Sequence, residues 1–573
     1  MDRADGCVDP AYLDQAGALL ATTKRRSYEL PDLRALVHNV ISPDRSGWAR
    51  VLRGPRLDEA TIRRRRGWTL AIVNLSLFAI VLDNTILNVA LPTLATELHA
   101  SGSELQWIVD AYVLVFAGLL LSAGALGDRF GRRGALSSGL IVFAAGSVFA
   151  MHAQSASTLI VARAVMGVGG ALIMPATLSI LINVFTDPKE RAKAIALWAS
   201  VGGLAIALGP VIGGFLLEHF NWSAVFALNV PIAVIALAAG RVTVPTSRDP
   251  EAARPDVVGA VLSIVGLGSL VWAIIAAGEH GWTAFGPLGG FAVAAVASAA
   301  FVAWERHTSH PMLDVAFFKN PRFTVASLGV MLGYFALFGS LFLMSQLLQF
   351  VLGYSALDAG IRLLPFALAM AVFSTVSPKL VDRFGTKLVV VAGLSIVAAG
   401  LLWEASLGLG RTYLDYLPGM LLMGIGVALT WAPTTDSIMG TLPKAKAGVG
   451  SAVNDTVREI GGALGVAVLG SVVAARYAGA VTSTTAGLPA HTAHVAGDSL
   501  GGAVVVAHQI GGAQGHAILH AAQAAYIHGF GLALTIAAAV AAAGAGITAL
   551  WLPARSDQPA ALEPHIEPVG AAA

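Results

Sequence analysis

The sequence predicts an all-α polytopic membrane protein with fourteen transmembrane helices, and three observations carry that prediction. Of the 573 residues, 56% are hydrophobic and only 12% are charged, against roughly 25% charged in soluble domains. Apolar runs of membrane length, roughly 17 to 25 residues, recur fourteen times along the chain. Lys and Arg gather in every second connection between the runs, as they do on the cytoplasmic side of membrane proteins. Each run must be helical, because an unpaired backbone amide cannot face lipid. The net charge of +2 is spread over short clusters and gives no nucleic-acid-binding face. Cys7 is the one cysteine, which excludes an internal disulfide framework.

The first run, 68–92, follows "RRRRGW" and has no small-residue cleavage pattern after it, so it reads as an anchor and not a signal peptide. The second, 105–126, ends in "DRFGRR"; the third and fourth are 134–153 and 158–182. "DPKERAK" leads into the fifth, 195–217, and "NWSAVFALNVP" opens the sixth, 223–241. The seventh and eighth, 257–278 and 286–305, lie between two basic connections, "RVTVPTSRDPEAARP" and "ERHTSHPMLDVAFFKNPR". The ninth is 323–347, and the tenth, 359–381, ends in "DRFGTK". The eleventh and twelfth are 387–408 and 415–437, with "PKAKAG" before the thirteenth at 449–475. The fourteenth is 527–552. The alternate connections carry almost no Lys or Arg beyond Arg411 and Arg476, which places both termini in the cytoplasm.

"GALGDRFGRR" after the second run returns as "PKLVDRFGTK" after the tenth. Each DRFG then follows the second helix of a six-helix half, and parallel repeats around a central site are a transporter architecture. The expected organisation is a cytoplasmic N-terminal extension over 1–66, a first half over 67–242, two inserted helices with their loops over 243–322, a second half over 323–553 with an outer loop at 476–526, and a cytoplasmic tail over 554–573. The extension reads as a disordered tail, a peripheral arm or sequence upstream of the true start.

No G-x-x-x-x-G-K-[ST] is present to cradle ATP phosphates. "GVGGA" at 167–171 lies inside a membrane run and reads as small-residue helix packing. Energy must then come from an ion gradient or from facilitation alone, which turns attention to buried titratable groups. Asp83 lies about fifteen residues into the first run, somewhat past the midplane at roughly 1.5 Å per residue. An ionised carboxylate there costs several kcal/mol, and such residues mark ion or substrate pathways. The available cation is Arg163 in "LIVARAVMGVGG", at similar depth in the fourth run. The pair is either a proton site or a static ion pair holding two helices together; an arginine cannot cycle a proton, so Asp83 is the expected carrier. Asp110 in "ELQWIVDAYVL" is a second protonatable group on the same cavity or an acid favoured by a helix N-terminus. Glu404 and Arg362 are expected to snorkel to headgroup level. Asn454 and Asp455 fall four and three residues before Arg458, which suits a local pair on one helix face.

The residues quoted resemble those of the major facilitator superfamily, and within it the fourteen-helix drug:proton antiporters of the QacA and EmrB type, from about residue 66 to 553. "LDNTILNVALP" resembles the first-helix signature through Asp83, Thr85, Asn88 and Pro92. "GALGDRFGRR" is similar to the superfamily's loop motif at Gly124, Asp128, Arg129, Gly131, Arg132 and Arg133, whose implied role is to latch the halves on the cytoplasmic side. Asp382, Arg383 and Gly385 occupy the matching loop of the second half. The resemblance implies a proton-linked role for Arg163, with Met166 where the family carries glutamine. "LAIALGPVIGG" resembles the antiporter motif through Gly209, Pro210, Gly213 and Gly214, with Ala205 in place of an upstream glycine. Trp222, Asn229 and Pro231 match a further pattern, with Ser223 where arginine is common.

His516 and His520 are four residues apart, yet no Cys accompanies them and Asp498 is the only acid between residues 491 and 528, so they read as part of a solvated outer loop, with "HAILHAAQAAYIHGF" as an amphipathic surface helix. Tyr334, Gln346, Gln349 and Trp431, with Asn88 and Asn454, either line a cavity for flat cationic or amphipathic molecules or serve as belt and packing residues. The expected function is proton-coupled export of hydrophobic or cationic small molecules across a bacterial plasma membrane. The expected partners are substrate, protons and the lipid bilayer, with a single chain as the working unit and no cofactor, metal or nucleic acid. The main rival is an exporter of one endogenous antibiotic, siderophore or lipid. An uptake symporter conflicts with the Gly209–Pro210 motif, and a membrane enzyme would need a catalytic cluster that the sequence does not offer.

Overall fold

The computed structural model describes residues 59–247, 256–309, 311–313, 315–441, 447–481 and 488–552. The tail after the last helix, and all but the last residues of the N-terminal extension, lie outside them. Among the described residues, fourteen helices are long and apolar enough to cross a membrane. They are α1 (Glu59–Glu97), α2 (Gly102–Phe130), α3 (Arg132–Met151), α4 (Ala156–Val184), α5 (Pro188–His219), α6 (Ala224–Thr243, jointed at Leu228), α7 (Val257–His280), α8 (Phe285–His307), α9 (Pro321–Val351), α10 (Ala356–Phe384, jointed at Leu363), α11 (Thr386–Ala405), α12 (Tyr413–Gly440), α13 (Ala447–Val481) and, after two short helices α14 (Ala490–Asp498) and α15 (Leu500–Ile510), α16 (Gly512–Trp551).

Local chemistry sets the ends. Ser101 caps α2 by accepting the Glu104 amide, and the Glu104 carboxylate accepts the Ser101 amide in return at 2.9 Å, so two otherwise orphaned donors are satisfied. Ser155 caps α4 in the same way through Thr158. Both DRFG turns end a helix on a glycine with positive φ, Gly131 at 122° and Gly385 at 81°, a conformation that a side chain disfavours.

The two halves repeat one another in packing. In the first, α2 and α3 pack on α4, α1 packs on α4, α5 and α6, and α3 packs on α6; in the second, α10 and α11 pack on α12, α9 packs on α12, α13 and α16, and α11 packs on α16. The inserted α7 and α8 pack on each other, and α7 reaches α2 and α13. The halves meet where α2 lies against α13, α5 against α10, and α1 against α9. Lipid is as apolar as leucine, so this assembly rests on close packing rather than on expulsion of water.

Three sequence expectations change. "HAILHAAQAAYIHGF" is not a separate surface helix but the start of α16, whose 40 residues exceed a bilayer core; Tyr526 within it is buried and donates to the Leu343 carbonyl at 2.7 Å. The outer loop contains α14 and α15, with Leu500, Ala503 and Val506 buried against the bundle. Glu404 does not snorkel: it is fully buried, both carboxylate oxygens lack a partner among the described residues, and Gly419 of α12 lies against its side chain. The tight α11–α12 crossing closes over it. Because a partnerless charge at that depth is costly, Glu404→Gln is expected to leave thermal stability in detergent unchanged or raised, with transport retained. A lower melting temperature would show that the carboxylate has a partner to lose.

Candidate functional site

Five elements converge on Asp83. Pro231 has no N–H to return to the Ala227 carbonyl, so α6 breaks at Leu228 and restarts at Asn229. The break turns the Asn229 side chain fully inward. Asn229 Nδ2 donates to Asp83 Oδ1 at 2.7 Å and lies 3.4 Å from Ser147 Oγ of α3. From α4, Arg163 Nη1 donates to Asp83 Oδ2 at 2.5 Å, and Arg163 Nε donates to the Ile108 carbonyl of α2 at 3.1 Å. The Arg163 guanidinium carbon lies 4.3 Å from the centre of the Tyr112 ring, also on α2. Asp83 is 3% exposed and Arg163 is fully buried. Each carboxylate oxygen accepts one bond, while Arg163 Nη2 donates to nothing described. A buried pair of this kind adds little net stability, but breaking it by removing one partner costs about 3–5 kcal/mol. Met166, one turn on, packs on Gly146 of α3 and supplies no polar partner.

Asp110 is fully buried on α2, and neither of its oxygens has a partner among the described residues. It lies two residues after Ile108, whose carbonyl holds Arg163. The placement at a helix N-terminus does not explain it, because eight residues of α2 precede it and the dipole acts over the first turn.

The motif glycines mark a crossing of three helices. A methyl group on Gly209 would overlap the Thr85 side chain of α1, and one on Gly213 would press on Ile86. Gly214 lies against the Ala356 and Leu357 backbone at the start of α10, and Gly360 of α10 lies against the Pro210 carbonyl. These contacts between the halves are at the end opposite the DRFG turns. Pro210 sits within α5 and leaves the Ile206 carbonyl without its helical donor.

At the DRFG end, Asp128 Oδ1 accepts from Arg132 Nε at 2.6 Å, Arg133 is buried and donates to the Arg241 carbonyl, and the Arg132 amide donates to the Ser247 carbonyl. Gly124 packs on Pro175 of α4. The Arg129 guanidinium lies 5.9 Å from the Phe130 ring centre. The loop thus ties α2 and α3 to the end of α6, and among the described residues none of its bonds crosses to the second half, where the sequence led us to expect a latch. Asp382 and Arg383 are exposed.

The candidate cavity residues separate into three places. Tyr334 and Trp431 stack at 4.2 Å with planes 12° apart, and the Arg458 guanidinium lies 5.5 and 5.7 Å from their centres. Arg458 pairs with Asp455 at 3.4 Å and donates to Thr435 Oγ1, which donates to Asn454 Oδ1 at 3.3 Å. Glu459 is the next residue after Arg458 on α13 and is half-buried. Gln349 instead donates to the Val89 carbonyl at 2.9 Å and ties α9 to α1. Gln346 lines a pocket at the other end with Gln106 and Tyr477. Asn88 donates to the Asn84 carbonyl of its own helix. Twelve residues of helix, about 18 Å, separate Tyr334 from Gln346. The sequence reading missed Glu459, Tyr112 and Gln106; Glu459 was legible as an acid in a membrane run.

Residues 73–466 match the Major Facilitator Superfamily. The chain is 39% identical over 483 residues to the "Multidrug efflux pump LfrA" of Mycolicibacterium smegmatis, covering 84% of this chain and 95% of that one. It is 34% identical to the "Tetracenomycin C resistance and export protein" of Streptomyces glaucescens, covering 86% and 93%, and 34% identical to the "Methyl viologen resistance protein SmvA" of Salmonella typhimurium, covering 82% and 95%. Among solved structures, a bacterial homolog of the human lysosomal transporter Spinster, inward-facing and unoccupied, shares the fold with a TM-score of 0.58 and 18% identity over 84% of this chain and 98% of that one. With fourteen membrane helices, twelve of them in two halves of matching packing, and a family match across most of them, the chain belongs to the Major Facilitator Superfamily.

Proposed function

We propose that this membrane protein is a proton-coupled antiporter that exports hydrophobic or cationic small molecules across the plasma membrane, with both termini and both DRFG turns on the cytoplasmic side. The observation that carries the reading is the buried Asp83, held by a cation that cannot titrate. A proton brought to this pair must go to the carboxylate. It then removes the attraction that joins α1 to α4, so proton uptake becomes freedom for helices to move. At the other end of the exchange, Tyr334 and Trp431 offer stacked faces beside two acids, Asp455 and Glu459, and one guanidinium. A flat cation displacing Arg458 gains the same ring faces, with Asp455 and Glu459 able to balance its charge once ionised.

The relatives support an exporter: three are named for multidrug efflux, for resistance with export, and for methyl viologen resistance. The tetracenomycin relative also supports the rival reading, a dedicated exporter, and the substrate range in a cell lacking other pumps separates the two. The coupling is tested in proteoliposomes by efflux with and without an imposed pH gradient. Efflux indifferent to the gradient would exclude proton exchange. Glu459→Gln is expected to slow efflux of a monovalent cationic dye about tenfold, equivalent to roughly 1.4 kcal/mol, and to spare an uncharged substrate. Equal loss for both would make Glu459 a packing residue.

A further inference from the structure

The α14–α15 hairpin packs at the end of the bundle opposite the DRFG turns, and a pocket beneath it reaches Gln106, one helical turn before Asp110 on α2. Asp498 and Ser499 stand at its mouth, and Gln106 and Gln346 line its depth. Gln106 is 2% exposed, its Oε1 has no partner among the described residues, and its amide is pressed onto Gly470 of α13. Asp110 follows one helical turn later on the same face of α2, also without a partner. The two phenols of the pocket are already committed: Tyr477 donates to the Ala496 and Ser499 carbonyls at 3.0 and 3.1 Å, and Tyr526 donates to the Leu343 carbonyl. The polar side chains left with a donor or acceptor free are therefore Asp498 and Ser499 near the mouth, the two amides, and Asp110 one turn beyond Gln106.

We propose that this pocket is the route by which protons from outside reach Asp110 and then the Asp83–Arg163 pair, with Asp498 as the collecting carboxylate and Gln106 against Gly470 as the shutter. The proposal rests on the antiport reading above and adds its entrance. A proton taken from bulk water by Asp498 passes inward along water admitted when Gln106 swings off Gly470, is accepted by Asp110, and leaves Asp498 ionised to collect the next. Asp498 faces His494 at 2.8 Å on its own helix, Glu104 at the start of α2, Glu279 at the end of α7, and Tyr477 of α13, and it shares a second small pocket with His99. Burial pushes its carboxyl above the usual range, with Glu279 and Glu104 adding to the rise and His494 opposing it.

The test is the dependence of efflux on external pH in the full-length chain, beside substrate counterflow, which needs no net proton movement. Asp498→Asn is expected to move the external pH of half-maximal efflux about one unit lower, so that about ten times more protons are needed, with counterflow unchanged. Asp498→Glu should restore the wild-type profile. Gln106→Leu should slow gradient-driven efflux at every pH and spare counterflow. A profile in Asp498→Asn that superimposes on the wild type, or equal loss in Asn and Glu variants without a shift, overturns the port. If the unaltered chain shows no response to an imposed gradient, the antiport reading fails first and the port falls with it.

Discussion

Asp83→Asn is expected to abolish gradient-driven efflux, with a loss of about a hundredfold or more, since a positioned proton-transfer group contributes roughly that much. Asparagine keeps the shape and still accepts the Asn229 amide, but it fixes the site uncharged and leaves Arg163 as a buried cation with only the Ile108 carbonyl and the Tyr112 ring for company. That unpaired cation costs about 3–5 kcal/mol, so the single variant can fail to insert. Asp83→Asn combined with Arg163→Gln removes both charges together and should recover membrane insertion without recovering coupling. Substrate binding should persist in the double variant and lose its dependence on pH. Efflux near the wild-type rate in either variant would reduce the Asp83–Arg163 pair to a static brace. Binding that still releases protons would move the carrier to Asp110.

The charged half of this site was legible because a charge in an apolar run has few innocent explanations: Asp83 and Arg163 stand out in "LDNTILNVALP" and "LIVARAVMGVGG". Their partners were not. Whether Asn229, Tyr112 and the Ile108 carbonyl meet them depends on how five helices rotate and slide against one another, and apolar helices in lipid carry little periodic signal for that register. Glu459 was hidden for a different reason, since "NDTVRE" reads as one polar face and the eye stops at the Asp455–Arg458 pair. The span count came through intact because length and hydropathy alone decide it. The latch expected of the first DRFG turn came from the resemblance, and the bonds its arginines make instead go to the Arg241 and Ser247 carbonyls, at the end of α6 and just after it.

Gly360→Val should cut exchange by about five- to a hundredfold. Gly360 lies against the Pro210 carbonyl, and Gly214 of α5 lies against the start of α10, so these two glycines set how closely the halves approach at the end opposite the DRFG turns. A branched side chain at Gly360 has backbone in its way, not the tip of a flexible side chain, and α5 has to retreat. Overpacking of that kind costs about 1–3 kcal/mol, enough to move a two-state equilibrium by roughly five- to a hundredfold. The state it penalises is the one closed at this end. Alternating exchange needs that closure once per cycle, while binding to the opposite state does not, so substrate affinity measured from the other side should hold. With Cys7 replaced by serine, a cysteine introduced at Ala359, which is buried in the wild type, reports closure through labelling by a membrane-impermeant maleimide. Faster labelling of that site in Gly360→Val, together with slowed exchange, is the expected pair of results. Normal exchange with unchanged labelling would mean that the glycines serve packing alone and that closure is made elsewhere, by α2 on α13.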